Sequence, residues 1–215
     1  MFFVDRTDAA AKLSAEVLQD LPNVSSFVAV GLARGGVPIA ARIATDAGIS
    51  LNALVVDDMG DGKSFQLIVT PFGEGVLVEM ENLQPLRLMY IQNVSTLKIP
   101  GANQLLEKAH QRQHLYNGES FEVGEKVLLC DDGIVSGRTA LAASLMLRRR
   151  FGVKEIVLAV PVIPRDLKSS DIMVDEIIFW RQSTLSSAPA TGMFYDSFGD
   201  VPDAIVSQLV RDARS

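Results

Sequence analysis

Val127-Leu128-Leu129-Cys130-Asp131-Asp132-Gly133-Ile134-Val135-Ser136-Gly137-Arg138-Thr139 is the stretch on which the reading of this chain turns. Its first four residues are a short, continuous apolar run, the pattern of a strand buried on both faces. Two adjacent carboxylates close the run, a turn of small and hydroxyl-bearing residues follows, and residues 137–151 are spaced as a helix. Backbone N–H groups at a helix start lack internal partners and carry a partial positive charge. A turn of Ser136, Gly137, Arg138 and Thr139 with no acidic side chain in it therefore suits a phosphate group. Gly137 lets the main chain approach closely, and the two hydroxyls can donate to phosphate oxygens. Asp131 and Asp132, acceptor-only when ionised, suit ribose hydroxyls or a hydrated magnesium ion.

Upstream, residues 27–32 form a second continuous apolar run, and Ala33-Arg34-Gly35-Gly36 turns out of it into a helix over 37–47. Pro38 falls in the first turn of that helix, where a missing N–H costs little. Further strands are predicted over 51–56, 156–162 and 176–180, and helices over 8–18, 103–116 and 202–210, with another helix beginning within 164–170. Residues 57–63 read as a polar turn. Beyond it, the runs 66–69 and 76–78, separated by Pro71, Gly73 and Gly75, predict a β-hairpin projecting from the main sheet, with a further strand over 88–94. Strands alternating with helices predict an α/β fold, with a mostly parallel central sheet flanked by helices and ligand sites at the carboxyl ends of its strands. Both glycine-containing turns then open at the same edge. At 215 residues a single domain is expected, with residues from about 65 to 100 as its hairpin and flexible-loop excursion.

The acidic run and its turn resemble the signature of the type I phosphoribosyltransferases: apolar residues, an acidic pair, then Thr or Ser, Gly, any residue, Thr. The loop 33–36 resembles the same family's pyrophosphate loop. The likeness extends to a bacterial phosphoribosyltransferase-like branch of that family and spans nearly the full length. It is carried also by Phe3-Val4-Asp5-Arg6 with Ala9 and Leu13, by residues 104–116 with Gly118, by 156–161, and by Phe194-Tyr195-Asp196-Ser197-Phe198. The resemblance implies the type I phosphoribosyltransferase fold and transfer of a phosphoribosyl group from 5-phosphoribosyl 1-pyrophosphate to a nitrogen acceptor, with Mg2+ as cofactor. On that reading Asp131 and Asp132 hold the ribose hydroxyls and, through water, the metal. Ser136, Gly137, Arg138 and Thr139 hold the 5-phosphate, Ala33, Arg34, Gly35 and Gly36 hold the pyrophosphate, and Arg34 stabilises its departure. Self-association into a homo-oligomer is also implied.

One position departs from the branch. Where a basic pair is expected after the strand ending at Val56, this chain has Asp57-Asp58. Two carboxylates facing a polyanion raise the cost of binding unless a metal ion intervenes. Lys63 is the candidate compensating cation of the loop. The departure brings in a reading of another class, a non-catalytic sensor or regulator that binds a phosphoribosyl ligand on the same fold. Val135 stands where transferases of 6-oxopurines are expected to carry an aspartate base, which disfavours hypoxanthine and guanine as acceptors.

The remaining features are plainer. The 26 acidic and 20 basic side chains, a formal charge of -6, give no general attraction to nucleic acids or anionic membranes. Cys130 is the only cysteine, so an intrachain disulfide and a four-thiolate zinc site are excluded, and with no signal-like start the expected setting is cytoplasmic. With no histidine beside it, Cys130 reads as a core residue. His110 and His114 share a helical face without a glutamate between them, and Gln111-Arg112-Gln113 reads as an exposed polar helix. Arg148-Arg149-Arg150 complements a helix carboxyl end. Phe194, Tyr195 and Phe198 read as core or interface packing, with cover for an acceptor base as their functional alternative.

Overall fold

The computed structural model describes residues 2–60, 64–81, 84–183 and 190–213. In chain order these form α1 (Arg6–Asp20), β1 (Val28–Ala33), α2 (Gly36–Ala47), β2 (Leu51–Val55), β3 (Asp57–Gly60), β4 (Phe65–Val69), β5 (Gly75–Glu81) and β6 (Gln84–Ile91). They continue with α3 (Ala102–Asn117), β7 (Lys126–Cys130), α4 (Arg138–Phe151), β8 (Glu155–Pro164), β9 (Glu176–Ser183) and α5 (Asp203–Asp212).

The expected parallel sheet is present, with order β2-β1-β7-β8-β9 and every pairing parallel. From β1 the chain moves outward to β2, and from β7 it moves the other way to β8. The connections therefore diverge between β1 and β7, and a crevice opens at the carboxyl ends of those two strands. Alternate residues serve the two faces. Ala29, Ala53, Leu128, Cys130 and Ala159 pack in one buried cluster with residues of α1, α2 and α5. Val30, Leu32, Leu54, Leu129, Leu158 and Val160 pack in another with α4. No helix among the described residues is long and apolar enough to cross a membrane.

The excursion is larger than a hairpin. Strands β3-β4-β5-β6 form a second, antiparallel sheet, which rests against α3 and α4. Its first strand is drawn from the expected polar turn: Asp57 pairs with Val69 and Gly60 with Gln66. Pairing with the apolar β4 overrides the weak strand preference of Asp57 and Asp58. The strand expected over 88–94 lies earlier, as β6, and Val94 falls in a 3-10 turn introduced by the Asn93 side chain. No α-helix begins within 164–170. There β8 runs on to Pro164, opposite Ser183, and a 3-10 turn, Ser169–Ile172, follows. The apolar run simply continues, and β9 supplies pairing partners to its end.

The β2 edge is closed by side chains rather than by a strand. Asn117 donates to the Ala53 carbonyl at 2.7 Å and accepts from the Ala53 N–H at 3.0 Å. Gln113 accepts from the Val55 N–H at 2.9 Å and donates to the same Ala53 carbonyl at 3.0 Å. Both amides are buried, so α3 is no free polar helix: one of its faces stands in for a sixth strand, as a buried sheet edge requires. Replacing Asn117 with leucine strands the Ala53 N–H in a dry environment. The loss expected is about 1–3 kcal/mol of unfolding free energy, read from the midpoint of urea denaturation.

Candidate functional site

Strand β7 delivers Asp131 and Asp132 to the crevice, and β1 delivers the loop 33–36 beside them, because Gly31 is level with Cys130 in the parallel register. The loop lies directly on the acidic run. A Cβ on Gly35 would sit 1.9 Å from Asp132 Oδ2, and one on Gly36 would sit 2.4 Å from the Cys130 carbonyl oxygen. Glycine is required there by close approach. The Ala33–Arg34 peptide is cis. On the far side of the pair, Gly137 takes φ +73, where a Cβ would press on Ile172 at 2.7 Å. The turn is pinned at Ile134, whose N–H donates to the Val162 carbonyl at 3.0 Å. A cavity of about 180 Å³ results, lined by Asp131, Asp132, Ser136, Gly137, Thr139 and Thr191 among others.

Helices α2 and α4 leave these loops from Gly35 and Gly137. Neither start has a side-chain cap, and neither first turn carries an acid. By contrast α1 is capped by Asp5, which accepts from the Asp8 N–H. The two helix starts that face the crevice thus keep their positive ends open to an anion.

The carboxylates differ in surroundings. Asp132 is buried, and its Oδ2 accepts from Arg6 Nε at 2.8 Å. Arg6 is itself fixed by a bond from its Nη1 to the Gly199 carbonyl at 2.6 Å and by the Phe198 ring, 3.8 Å from the guanidinium carbon. The Tyr195 hydroxyl donates to the Asp132 carbonyl at 2.5 Å. Burial pushes the Asp132 carboxyl upward, and Arg6 opposes that shift. Asp131 is half-buried and makes no ion pair among the described residues; its Oδ1 accepts from the Asp132 N–H at 2.9 Å. Burial, and then the charge of Asp132, raise the Asp131 carboxyl well above the usual carboxylate range. Cys130 is fully buried and its thiol is pushed up by burial, as befits a core residue.

The other candidates divide. Ser136 and Thr139 are exposed at the cavity. Arg138 turns toward the second sheet, where its Nη1 donates to Gln66 Oε1 at 2.7 Å. Arg34 points toward the carboxyl-terminal segment, 3.9 Å from Asp200 and 3.8 Å from Asp203, and does not line the small cavity. Lys63 lies outside the described residues. Asp57 is not an unpaired acid: Arg112 donates to its Oδ2. Arg6, Thr191 and Arg112 have no assigned place in the sequence reading, and Tyr195, read there as packing or as cover for an acceptor base, instead holds the Asp132 carbonyl. Arg6 and Tyr195 lie in segments that carry family likeness, but nothing in the sequence shows that those segments meet at Asp132. Among the described residues no three His, Cys, Asp or Glu side chains converge as metal ligands; His110 and His114 are exposed.

Comparison with known proteins agrees with the resemblance read in the sequence. A family model described as the phosphoribosyl transferase domain matches residues 5–189. Two curated proteins of Mycobacterium tuberculosis, from strains CDC 1551 and H37Rv and each provisionally named a phosphoribosyl transferase, are 31% identical over 205 residues. The match covers 94% of this chain but 44% of theirs, so the chain spans less than half the length of those relatives. The crystal structure of TT1426 from Thermus thermophilus is 26% identical, covers 99% of each chain and superposes with a TM-score of 0.66.

A raised carboxyl makes a signed prediction. With its folded-state pKa above the unfolded value, Asp131 is tolerated best when protonated, and its contribution is lost as pH rises through the folded value. In chelator-containing buffer near neutral pH, Asp131→Asn should raise the melting temperature by about 2–4 °C, the shift that roughly 1 kcal/mol gives in a domain of this size. The difference should vanish below about pH 4, where the wild-type carboxyl is protonated in both states.

Proposed function

The chain belongs to the phosphoribosyl transferase family, and from that premise we propose that it moves the phosphoribosyl group of 5-phosphoribosyl 1-pyrophosphate onto a nitrogen acceptor, releasing pyrophosphate. The observation that carries this reading is the seating of Gly35 and Gly36 against Asp132 and Cys130, which makes one crevice of the two loops. On one side of the acidic pair the uncapped start of α4, with the Ser136 and Thr139 hydroxyls, receives the 5-phosphate. On the other side the uncapped start of α2, with the loop 33–36, receives the pyrophosphate. Between them Asp131 and Asp132 accept hydrogen bonds from the ribose hydroxyls. Arg6 and Tyr195 keep Asp132 in place while they do so.

The donors present fit Mg2+. Two carboxylates on adjacent residues, one of them without a cationic partner, suit a hard ion that keeps most of its waters and takes further oxygens from a phosphate ligand. Bound there through water, Mg2+ would supply positive charge against the pyrophosphate. The chain's own work is to hold the ribose with its C1–oxygen bond aimed at the leaving group and its opposite face open to the acceptor nitrogen. The C1–oxygen bond breaks with its electron pair going to pyrophosphate, and the acceptor's lone pair forms the new C1–nitrogen bond. N–H dipoles of the α2 start stabilise the negative charge that develops on departure, and Arg34, rotated away from Asp200 and Asp203, adds to them.

A second reading, ligand sensing without turnover, has one observation in its favour: Arg34 stands against Asp200 and Asp203 rather than over the cavity. Both readings require the same binding, and turnover separates them. In calorimetric titration with 5-phosphoribosyl 1-pyrophosphate and Mg2+, the wild type should bind and Asp131→Asn/Asp132→Asn should bind at least about tenfold more weakly, the effect of losing one charge-assisted hydrogen bond. Pyrophosphate release with any one of a panel of nitrogen bases identifies a transferase. Binding without release against every base identifies a sensor, and a wild type that binds nothing overturns both.

A further inference from the structure

We propose that Arg112, on α3, is a second cation for the diphosphate, and that Asp57 occupies it in the free protein as an internal stand-in for the ligand's oxygens. The inference rests on the function proposed above and adds a residue to it.

Strands β1 and β2 end level with one another, Ala33 opposite Val55. Asp57 therefore follows the end of β2 by as many residues as Gly35 follows the end of β1, at the same end of the parallel sheet. Arg112, on α3, donates to Asp57 Oδ2. One helical turn further along α3, the Tyr116 hydroxyl donates to Asp203 at 2.6 Å, and Asp203 is the carboxylate 3.8 Å from Arg34. Arg34 and Arg112 thus belong to one connected cluster beside the glycine loop, and each is held by a carboxylate.

The pairing at Arg112 is exchangeable. Its side chain is 30% exposed, and it lines a cleft of about 610 Å³ with Asp57, Asp58 and Lys108, so it is not locked into the core. Phosphate oxygens match the planar guanidinium as well as a carboxylate does, and a diphosphate carries more charge per group. Asp58 is spoken for differently: its Oδ2 accepts from Gln66 at 2.8 Å, and Gln66 in turn accepts from Arg138. Asp57 is therefore the carboxylate that competes with a diphosphate for Arg112. The first of the acidic residues that stand in place of a basic pair is thus matched by a cation, supplied by a helix 55 residues along the chain.

The test uses two ligands that share the 5-phosphate and ribose and differ in the diphosphate: 5-phosphoribosyl 1-pyrophosphate and ribose 5-phosphate, each titrated with Mg2+ into wild type, Arg112→Gln and Asp57→Asn. Arg112→Gln should weaken the diphosphate ligand by about tenfold or more and leave ribose 5-phosphate within about twofold. Asp57→Asn, by removing the competitor, should tighten the diphosphate ligand alone. Should Arg112→Gln fail to fold, the Asp57→Asn result decides by itself. Equal weakening of both ligands by Arg112→Gln, no weakening by it, or a loss or absence of change with Asp57→Asn each overturns the assignment. A wild type that binds ribose 5-phosphate as tightly as the diphosphate overturns it too, with the phosphate cradle left standing. A wild type that binds neither ligand removes the proposed function and this inference together.

Discussion

Asp132 is an ionisable side chain buried at the end of a central strand, and the parts of the structure that surround it are arranged to make that burial tolerable. An unpaired buried carboxylate costs several kcal/mol. Arg6 answers the charge, and to do so it must itself be held, by the Gly199 carbonyl and the Phe198 ring. The chain termini are drawn together in consequence: Phe2 and Phe3 donate their N–H groups to the Phe194 carbonyl, and Phe3 bridges Tyr195. Tyr195 then closes back on the Asp132 carbonyl. Arg6 and the segment 194–199, far apart in sequence, thus meet around a single carboxylate that needs a partner.

Most of the scaffold was legible because parallel strands buried on both faces are written as continuous apolar runs. The runs at 27–32, 51–56 and 127–130 and the glycine turns after two of them lie where they were expected. The acidic pair and the small-residue turn were legible for the same reason, being contiguous. What escaped is decided by contacts between distant segments. Asp57 and Asp58 have poor strand propensity, and only the presence of β4 makes them a strand. Pro164 looks like a helix start until β9 is seen to pair beyond it. Arg6 lies in a segment that carries family likeness, but nothing local gives its role, which is set by a residue 126 positions away.

Helix α3 shows the same limit in another form. Read by itself, Gln111-Arg112-Gln113 is a polar stretch, and three neighbouring polar residues look alike. In the fold Gln111 is exposed, Arg112 faces Asp57, and Gln113 is sunk against the β2 backbone. An amide can act as a surrogate strand because it carries a donor and an acceptor at the spacing of a peptide group. The helix face fixed by that edge then dictates where Arg112 points. The amides that close the sheet are thus also the reason a guanidinium stands against Asp57.

Several parts of the crevice keep capacity for a further partner. Two helix starts have no side-chain cap, and Asp131 has a carboxyl that burial holds toward its protonated form. Two arginines are matched to carboxylates, one of those pairings at the long distances of 3.8–3.9 Å. None of these is a fault of packing, since the glycines around them are seated to within contact distance. Under the proposed function, a phosphorylated ribose arriving with a divalent cation would answer all of them together, with anions for the helix starts and arginines and positive charge for the carboxylates. A neutral sugar or a lone phosphate answers only part. Selectivity for the doubly phosphorylated ligand would then follow from the number of unmet partners satisfied at once, more than from any single strong contact.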